Sequence, residues 1–307
     1  MENIILTHDL TRSFGKFVAV NKLNISIKRG EIYGFLGPNG AGKSTAIRML
    51  CGIMQPTSGT GEVLGYDLLR DTEKIKRKIG YMSQKFSLYE DLSVEENLEF
   101  YAGVYEVPLK ESKSRIAQMI EMANLTGREK EVVANLSGGW KQRLALGCAI
   151  ISRPSLVFLD EPTSGVSPTS RRMFFNIIQD LANNGVTVMV TTHFMDEAER
   201  CNRIAFISGG RLMAVGTPEN LKKNIVKGYL VELAVPDALE KVSRIEALPY
   251  VKECNIHGPL LHILLAQENN TADIHALTGI EPKAITPSLE DVFVTLAKRQ
   301  RGDEFDA

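Results

Sequence analysis

The stretch 37–45, which reads GPNGAGKST, restricts the fold of this chain more than any other segment. Its residues are Gly37, Pro38, Asn39, Gly40, Ala41, Gly42, Lys43, Ser44 and Thr45. The glycines let the backbone bend closely around a phosphate, and the loop and helix N–H groups then point at the anion. Lys43 adds a positive charge for the terminal phosphates, and the Ser44 hydroxyl is a ligand for Mg²⁺. Between a strand-like run and a helix-like run, this pattern predicts an α/β fold that binds a nucleoside triphosphate.

Composition narrows the function classes. The 307 residues suffice for one large core and a smaller second domain. Lys+Arg 36 against Asp+Glu 37 gives a net charge of -1, which argues against a nucleic-acid-binding surface. The cysteines at 51, 148, 201 and 254 show no C-x-x-C spacing, which favours four reduced thiols in a cytosolic protein. No signal peptide and no apolar run of about 20 residues is evident, so we expect any membrane span to belong to another chain.

Phe14 is a candidate contact for the nucleotide base. It lies in the predicted loop between two β-rich segments, 3–6 and 17–27. An aromatic ring near the nucleotide can stack on adenine, because stacking needs no base-specific hydrogen bond. The alternative is a phenylalanine that is buried in a small β layer. Spacing alone leaves both interpretations open.

A helical insertion is predicted at about 85–135. A turn-rich link at 55–61 precedes a short strand at 79–84, which ends in Gln84. This amide suits a contact with Mg²⁺ or the attacking water, but it equally suits a plain strand end. Ser93 and Glu96 then form a capping box that opens a helix, and a further helical pattern covers 110–123.

The insertion ends at 136–139, which reads LSGG and leads into an apolar helix. Ser137 suits the N-cap of that helix, and Gly138 and Gly139 expose N–H groups at its positive end. The arrangement is physically a second anion site. Taken alone, the segment is more simply an ordinary helix cap.

Two buried strands bring acidic and basic groups to one edge of the predicted sheet. The run 156–159 is apolar throughout, as a central parallel strand requires, and it ends in Asp160 and Glu161. Asp160 suits Mg²⁺ binding together with Ser44, while Glu161 suits orienting or deprotonating a water. A second strand at 186–192 ends in His193. Because ligands bind at the carboxyl edge of such sheets, we expect these side chains to meet there.

These motifs, in this order over residues 1–221, resemble the nucleotide-binding subunits of ATP-binding cassette (ABC) transporters. The resemblance implies a P-loop NTPase parallel sheet with a small antiparallel β layer. It also implies that Phe14 stacks on adenine, that residues 37–45 are the Walker A loop, and that residues 136–139 are the signature motif. In this family two cassettes pair head to tail, so that each ATP lies between one Walker A loop and the partner's signature helix.

The resemblance also assigns the catalytic groups. Asp160 corresponds to the Walker B carboxylate, Glu161 to the catalytic glutamate and His193 to the switch histidine. Gln84 corresponds to the Q-loop glutamine, which meets both Mg²⁺ and the membrane subunit. The sequence departs from the family pattern at Trp140, where Gln is usual, and at Ser167, where Asp is usual. The second departure puts tight coupling between the paired sites in doubt.

The C-terminal part is predicted to form a separate domain. A Gly-Gly hairpin at 203–214 and a Lys-rich helix close the cassette at residue 222, and strands then alternate with helices over 223–307. The last helix opens with SLEDVF at 288–293, which resembles the small α+β domain of cassettes in drug, polysaccharide and lipid exporters.

The sequence therefore predicts a subunit that binds ATP and Mg²⁺, hydrolyses ATP and drives export. Its expected partners are an integral-membrane permease and a second copy of itself or a homologous cassette, at the cytoplasmic face of the membrane. The alternative is a soluble cassette ATPase that acts on nucleic acid or ribosomes. The short insertion, the balanced charge and the single cassette favour the exporter, so no nucleic-acid partner is expected.

Overall fold

The computed structural model describes residues 2–85, 87–236 and 238–305, except for the side chains of 238, 269 and 300–305. The chain divides into two units, Met1–Thr217 and Pro218–Ala307. The division falls immediately before a helix that the sequence analysis assigned to the end of the cassette. Each unit has its own hydrophobic core.

The strands of the first unit share two sheets. They are β1 (Asn3–Phe14), β2 (Phe17–Leu23), β3 (Ser26–Lys28), β4 (Ile32–Leu36), β5 (Ser58–Val63), β6 (Tyr66–Asp67), β7 (Ile79–Met82), β8 (Leu156–Asp160), β9 (Thr187–Thr192), β10 (Arg203–Ser208) and β11 (Arg211–Gly216). The helices are α1 (Lys43–Leu50), α2 (Thr72–Lys76), α3 (Val94–Val104), α4 (Leu109–Met122), α5 (Gly138–Ile150), α6 (Pro168–Asn183) and α7 (Met195–Ala198).

The central sheet has the order β11-β10-β4-β9-β8-β7, and only the β10–β11 pairing is antiparallel. Every residue of β4, β8 and β9 is buried, as expected for the central strands of a sheet that is covered on both faces. The sheet edge at the carboxyl ends of these strands carries the candidate site. The predicted parallel sheet is confirmed.

The second sheet is antiparallel, with the order β2-β1-β5-β6 and β3 paired to β1. Two local predictions were wrong here. Strand β1 continues to Phe14 rather than ending near residue 6, and β5 occupies most of the predicted link at 55–61. The glycines of β5 serve close packing rather than a turn, since a Cβ at Gly59 would lie 2.3 Å from the carbonyl oxygen of Asp9.

The insertion between β7 and β8 is helical, as predicted. It contains α3, α4 and a short 3-10 helix, Val133–Asn135, and it packs on α5 around a core that includes Leu98, Ile116 and Leu144. The predicted capping box is present, because the Ser93 N–H donates to Glu96 at 2.8 Å and the Glu96 N–H donates to Ser93 Oγ at 3.3 Å. Among the described residues, no helix is both long and apolar enough to cross a membrane.

The second unit is an α+β layer of four strands and flanking helices. Its helices are α8 (Pro218–Ile225), α9 (Ala238–Glu246), α10 (Thr271–Thr278) and α11 (Leu289–Phe305), and its strands are β12 (Tyr229–Ala234), β13 (Val251–His257), β14 (Leu260–Leu265) and β15 (Lys283–Ala284). The strand order is β13-β14-β12-β15. The sequence predicts a helix over 237–248, whose first residue lies outside the described residues, and a hairpin of strands 251–256 and 260–265, which is present as β13–β14. The helix that follows Ser288 also occurs where the sequence predicts it.

Candidate active site

The phosphate-binding loop connects β4 to α1 and lies close against two strands. A Cβ at Gly37 would lie 2.2 Å from the carbonyl oxygen of Ile207 in β10. Gly42 has φ 100°, and a Cβ there would lie 2.3 Å from the carbonyl oxygen of Ala19 in β2. Only glycine fits at these two positions, because any side chain would push the loop away from its supports.

Lys43, the first residue of α1, is buried and makes polar contacts inside the loop. Its ammonium donates to the carbonyl oxygens of Gly37 at 2.8 Å and Pro38 at 3.0 Å. The same nitrogen lies 3.0 Å from Glu161 Oε1, and the two side chains are only 3% and 7% exposed. This buried ion pair holds the lysine charge at the loop.

Asp160 ends β8 as a fully buried carboxylate. Its Oδ1 accepts hydrogen bonds from Ser44 Oγ and from Thr191 Oγ1, both at 2.9 Å. Its Oδ2 receives no hydrogen bond from any residue that the structure describes. A buried carboxylate oxygen without a partner, next to a serine hydroxyl, fits the hard oxygen ligands that Mg²⁺ prefers. Burial raises the pKa of the Cys51 thiol, and the nearby Asp160 carboxylate raises it further.

Glu161 is held in a strained backbone conformation, with φ 46°. Its N–H donates to Thr191 Oγ1 at 2.8 Å, and its Oε2 accepts from Gln84 Nε2 at 3.1 Å. His193 Nδ1 lies 3.7 Å from the same oxygen, beyond hydrogen-bond distance. The sheet edge therefore gathers Glu161, Gln84 and His193 beside Lys43.

A cavity of about 520 Å³ opens over the phosphate-binding loop. Its wall includes Lys43, Gln84, Glu161 and two aromatic residues, Phe14 and Phe17. Phe14 is the last residue of β1 rather than a loop residue, and it is 45% exposed, so the alternative of a buried phenylalanine is wrong.

Phe17 was missed by the sequence analysis. It lies directly opposite Phe14 in the β1–β2 hairpin and is 64% exposed. The sequence feature that could have identified Phe17 is the short turn with Gly15 between the two phenylalanines. A turn of this kind pairs the flanking residues in a hairpin.

The segment 136–139 does not line this cavity. Ser137 occupies the N-cap position of α5, yet its exposed side chain makes no capping hydrogen bond to the described residues. Gly139 is tightly packed, since a Cβ there would lie 2.6 Å from Ser170 Oγ. Within one chain, Ser137 and Gly138 are thus exposed outside the cavity over the phosphate-binding loop, while Gly139 is buried behind them.

Trp140 has a structural partner that explains a tryptophan at this position. Its ring lies 3.9 Å from the guanidinium carbon of Arg128, and it packs against the core of the helical insertion. Such a cation–π contact contributes roughly 0.5–1 kcal/mol at a partly exposed site. Trp140 therefore ties the start of α5 to the insertion.

Glu197, which the sequence analysis did not single out, connects the segments around the site. The hydroxyls of Thr163 and Thr192 both donate to this buried carboxylate, and Arg171 Nε lies 3.4 Å from it. Burial raises the pKa of Glu197 despite these partners. The available signal was an acidic residue in the short helix that directly follows His193.

Comparison with known proteins identifies the family. The ABC transporter family matches residues 20–164 of this chain. The linearmycin resistance ATP-binding protein LnrL of Bacillus subtilis (strain 168) is 33% identical over 311 residues, which cover 98% of this chain and 100% of LnrL. The chain belongs to the ABC transporter ATP-binding proteins. This membership confirms the prediction from the ordered motifs. The family to which the cassette belongs binds ATP.

Other relatives of the cassette agree. The Nod factor export ATP-binding protein I of Rhizobium sp. (strain N33) is 35% identical over 291 residues, 94% of this chain and 95% of that protein. The probable multidrug ABC transporter ATP-binding protein YbhF of Escherichia coli (strain K12) is 50% identical over 221 residues. That match covers 72% of the cassette chain but only 38% of YbhF, so the chain spans well under half of that relative.

Solved structures support the fold of the cassette. An ATP-binding subunit of an ABC transporter aligns with a TM-score of 0.65 and 29% identity, over 71% of this chain and 92% of that one. The ATP-binding cassette MJ0796, described as a dimer in a post-hydrolysis state bound to ADP and Pi, aligns with a TM-score of 0.64 and 26% identity. That alignment covers 69% of this chain and 98% of MJ0796.

Proposed function

We propose that this chain hydrolyses ATP as the energy-coupling subunit of an ABC exporter. The observation that carries the proposal is the buried group of Lys43, Glu161 and Asp160 at the mouth of the phosphate-binding loop. A positive charge for phosphate, a base for water and an oxygen ligand for a cation meet there at one sheet edge.

Each residue has a distinct role in this proposal. The loop N–H groups and Lys43 bind the terminal phosphates, and Phe14 with Phe17 contacts the base. Glu161 accepts a proton from the attacking water, while Gln84 and His193 orient that water and the phosphate. Ser44, Asp160 and Gln84 would hold Mg²⁺, which neutralises charge on the phosphate oxygens.

We further propose that two cassettes pair head to tail around ATP. The exposed Ser137 with Gly138 and Gly139 would contact the nucleotide that is bound to the partner. Two observations support this arrangement: these residues lie outside the cavity of their own chain, and the relative MJ0796 is described as a dimer. The partner is a second copy of the chain or a homologous cassette.

The proposed membrane partner is a permease, and the chain would lie at the cytoplasmic face of the membrane. A groove of about 380 Å³ supports a docking role, since its wall includes the exposed apolar side chains Ile53 and Val104 beside Tyr105. The names of LnrL, Nod factor export protein I and YbhF favour export over the soluble alternative. Residues 1–222 would form the ATPase domain and 223–307 the small C-terminal domain.

The test is affinity purification of the tagged chain from detergent-solubilised membranes, followed by ATPase assay of the complex. We expect a polytopic membrane protein to co-purify and ATP to be hydrolysed. Val104→Glu should release the membrane protein while ATP binding persists, and the exposed Lys110→Glu in α4 is the matched control. Recovery of ribosomes or nucleic acid in place of a membrane protein would contradict the proposal.

A further inference from the structure

Two histidines and an aspartate meet in the second unit, and none of them is among the residues assigned to ATP or Mg²⁺ binding. His257 ends β13, His262 lies in β14, and Asp291 lies in the first turn of α11. The imidazole rings are stacked, with centroids 3.9 Å apart and an interplanar angle of 9°. The three side chains are largely buried, at 13%, 11% and 4% exposure.

One carboxylate oxygen faces both rings. His262 Nδ1 lies 2.8 Å from Asp291 Oδ1, and His257 Nε2 lies 3.4 Å from the same oxygen. The other carboxylate oxygen of Asp291 is held by Ser288, whose N–H donates at 2.8 Å and whose hydroxyl donates at 2.7 Å. Asp291 is therefore fixed with one oxygen turned toward the two histidines.

The remaining ring nitrogens also face carboxylates. His257 Nδ1 lies 3.7 Å from Glu290 Oε2, and His262 Nε2 lies 3.8 Å from Glu232 Oε2. In metal centres a ligating histidine commonly donates its second N–H to a carboxylate, which fixes the tautomer and the ring orientation. Each histidine of this cluster has a carboxylate beside its second ring nitrogen, although at 3.7 and 3.8 Å neither pair is within hydrogen-bond distance.

We propose that His257, His262 and Asp291 bind a divalent transition-metal ion of the zinc class. The ligand atoms lie within 4.8 Å of one another, and tetrahedral bonds of about 2.1 Å place ligand atoms about 3.4 Å apart. Imidazole nitrogen and carboxylate oxygen form the donor set that suits this class. An imidazole binds a metal in the plane of its ring, so one of the two stacked rings must turn when the ion binds. The ring protons then lie on His257 Nδ1 and His262 Nε2.

The competing interpretation is purely structural. Two neutral imidazoles that donate to Asp291 would also join β13, β14 and α11, without any ion. The two interpretations predict different metal binding for variants that replace an imidazole with an amide. Such a variant keeps a hydrogen-bond donor but is a weaker metal ligand. His257→Gln places an amide near the position of Nε2, and His262→Asn places one near the position of Nδ1, so both keep a polar donor beside Asp291.

The experiment titrates the metal-stripped, nucleotide-free full chain with Co²⁺ and then with Zn²⁺. We expect one ion per chain, visible Co²⁺ absorption bands of a low-coordinate site, and loss of those bands when Zn²⁺ displaces Co²⁺. His257→Gln and His262→Asn should each raise the Kd by about 10–100-fold while circular dichroism shows folded protein. His275→Gln, at a half-exposed histidine outside the cluster, should bind like the natural chain.

A second control addresses the catalytic site. Asp160→Asn removes the carboxylate of the proposed Mg²⁺ site and should leave the Co²⁺ bands unchanged. The proposal is overturned if the natural chain gives no Co²⁺ bands, or if the two cluster variants bind Co²⁺ as tightly as the natural chain. It is also overturned if Asp160→Asn, rather than the cluster variants, abolishes binding.

Discussion

The ammonium of Lys43 lies 3.0 Å from the carboxylate of Glu161, and both side chains are buried. A phosphate that enters the loop competes with this carboxylate for the lysine. The proposed catalytic base and the proposed phosphate ligand are thus each other's partners. When a phosphate replaces the Glu161 carboxylate beside Lys43, the lysine charge stays compensated, which favours reversible binding.

The first prediction concerns Glu161→Gln. The amide keeps the shape of the side chain but removes the base and the negative charge beside Lys43. We expect kcat to fall by at least about 100-fold and ATP to bind at least as tightly as in the natural chain. Phosphate release and equilibrium nucleotide binding measure the two effects. Glu121→Gln, the same change at an exposed position of α4, should leave both unaltered, and near-normal turnover of Glu161→Gln would contradict the assignment.

The second prediction concerns pairing of two chains. Glu161→Gln with ATP should form a dimer, and the added change Ser137→Arg should prevent it, because a bulky side chain then fills the space of the partner's phosphate. Light scattering with and without ATP measures the mass. Ser114→Arg, at an exposed position of α4, should still allow the dimer. An equal dimer fraction in the presence of Ser137→Arg would count against the composite site.

The third prediction concerns Ser167, the N-cap of α6. Its hydroxyl accepts from the Ser170 N–H at 3.3 Å, and aspartate is an equally good N-cap, so Ser167→Asp should not destabilise the helix. We expect the natural protein to hydrolyse ATP with weak cooperativity and Ser167→Asp to raise the Hill coefficient.

ATPase rate against ATP concentration, measured on the complex with the membrane subunit, gives the Hill coefficient for each protein. Ser167→Asn is the matched uncharged control and should behave like the natural protein. An unchanged Hill coefficient in Ser167→Asp would show that the missing charge does not limit coupling.

The phosphate-binding loop and β5 show what the sequence could and could not predict. The buried strands, the phosphate-binding loop and the capping box follow from local patterns that the fold leaves intact. Strand β5 was missed because Gly59 and Gly61 look like turn residues, whereas their real role is close approach to β1. Glu197 was missed because one of its partners, Thr163, lies 34 residues away in the sequence.

The fourth prediction concerns Trp140. Trp140→Gln restores the usual family residue but removes the Arg128 contact and packing on the helical insertion. We expect the free energy of unfolding to fall by about 1–2 kcal/mol, with little change in ATP affinity. Urea denaturation of the single variants and of the double variant with Arg128→Gln isolates the pair. Additive losses would show that the two side chains do not interact.

The fifth prediction concerns the thiols. All four cysteines are free and buried, and burial raises the pKa of Cys201 to about 12 and that of Cys254 to about 11. Because the thiolate is the reactive form, a raised pKa leaves little of it at pH 8. A thiol reagent should label the native chain slowly and label all four cysteines in denaturant. Fast labelling of a native thiol at pH 8 would contradict the burial.

Gly37 and Gly42 press the phosphate-binding loop against strands of two different sheets, through Ile207 in β10 and Ala19 in β2. The loop keeps its shape only while both sheets are formed. Opening of either sheet therefore disrupts the anion-binding site. A nucleotide that binds only the closed form must then stabilise both sheets together. Amide protons of β2 and β10, far apart along the chain, would be protected from hydrogen exchange as one cooperative unit.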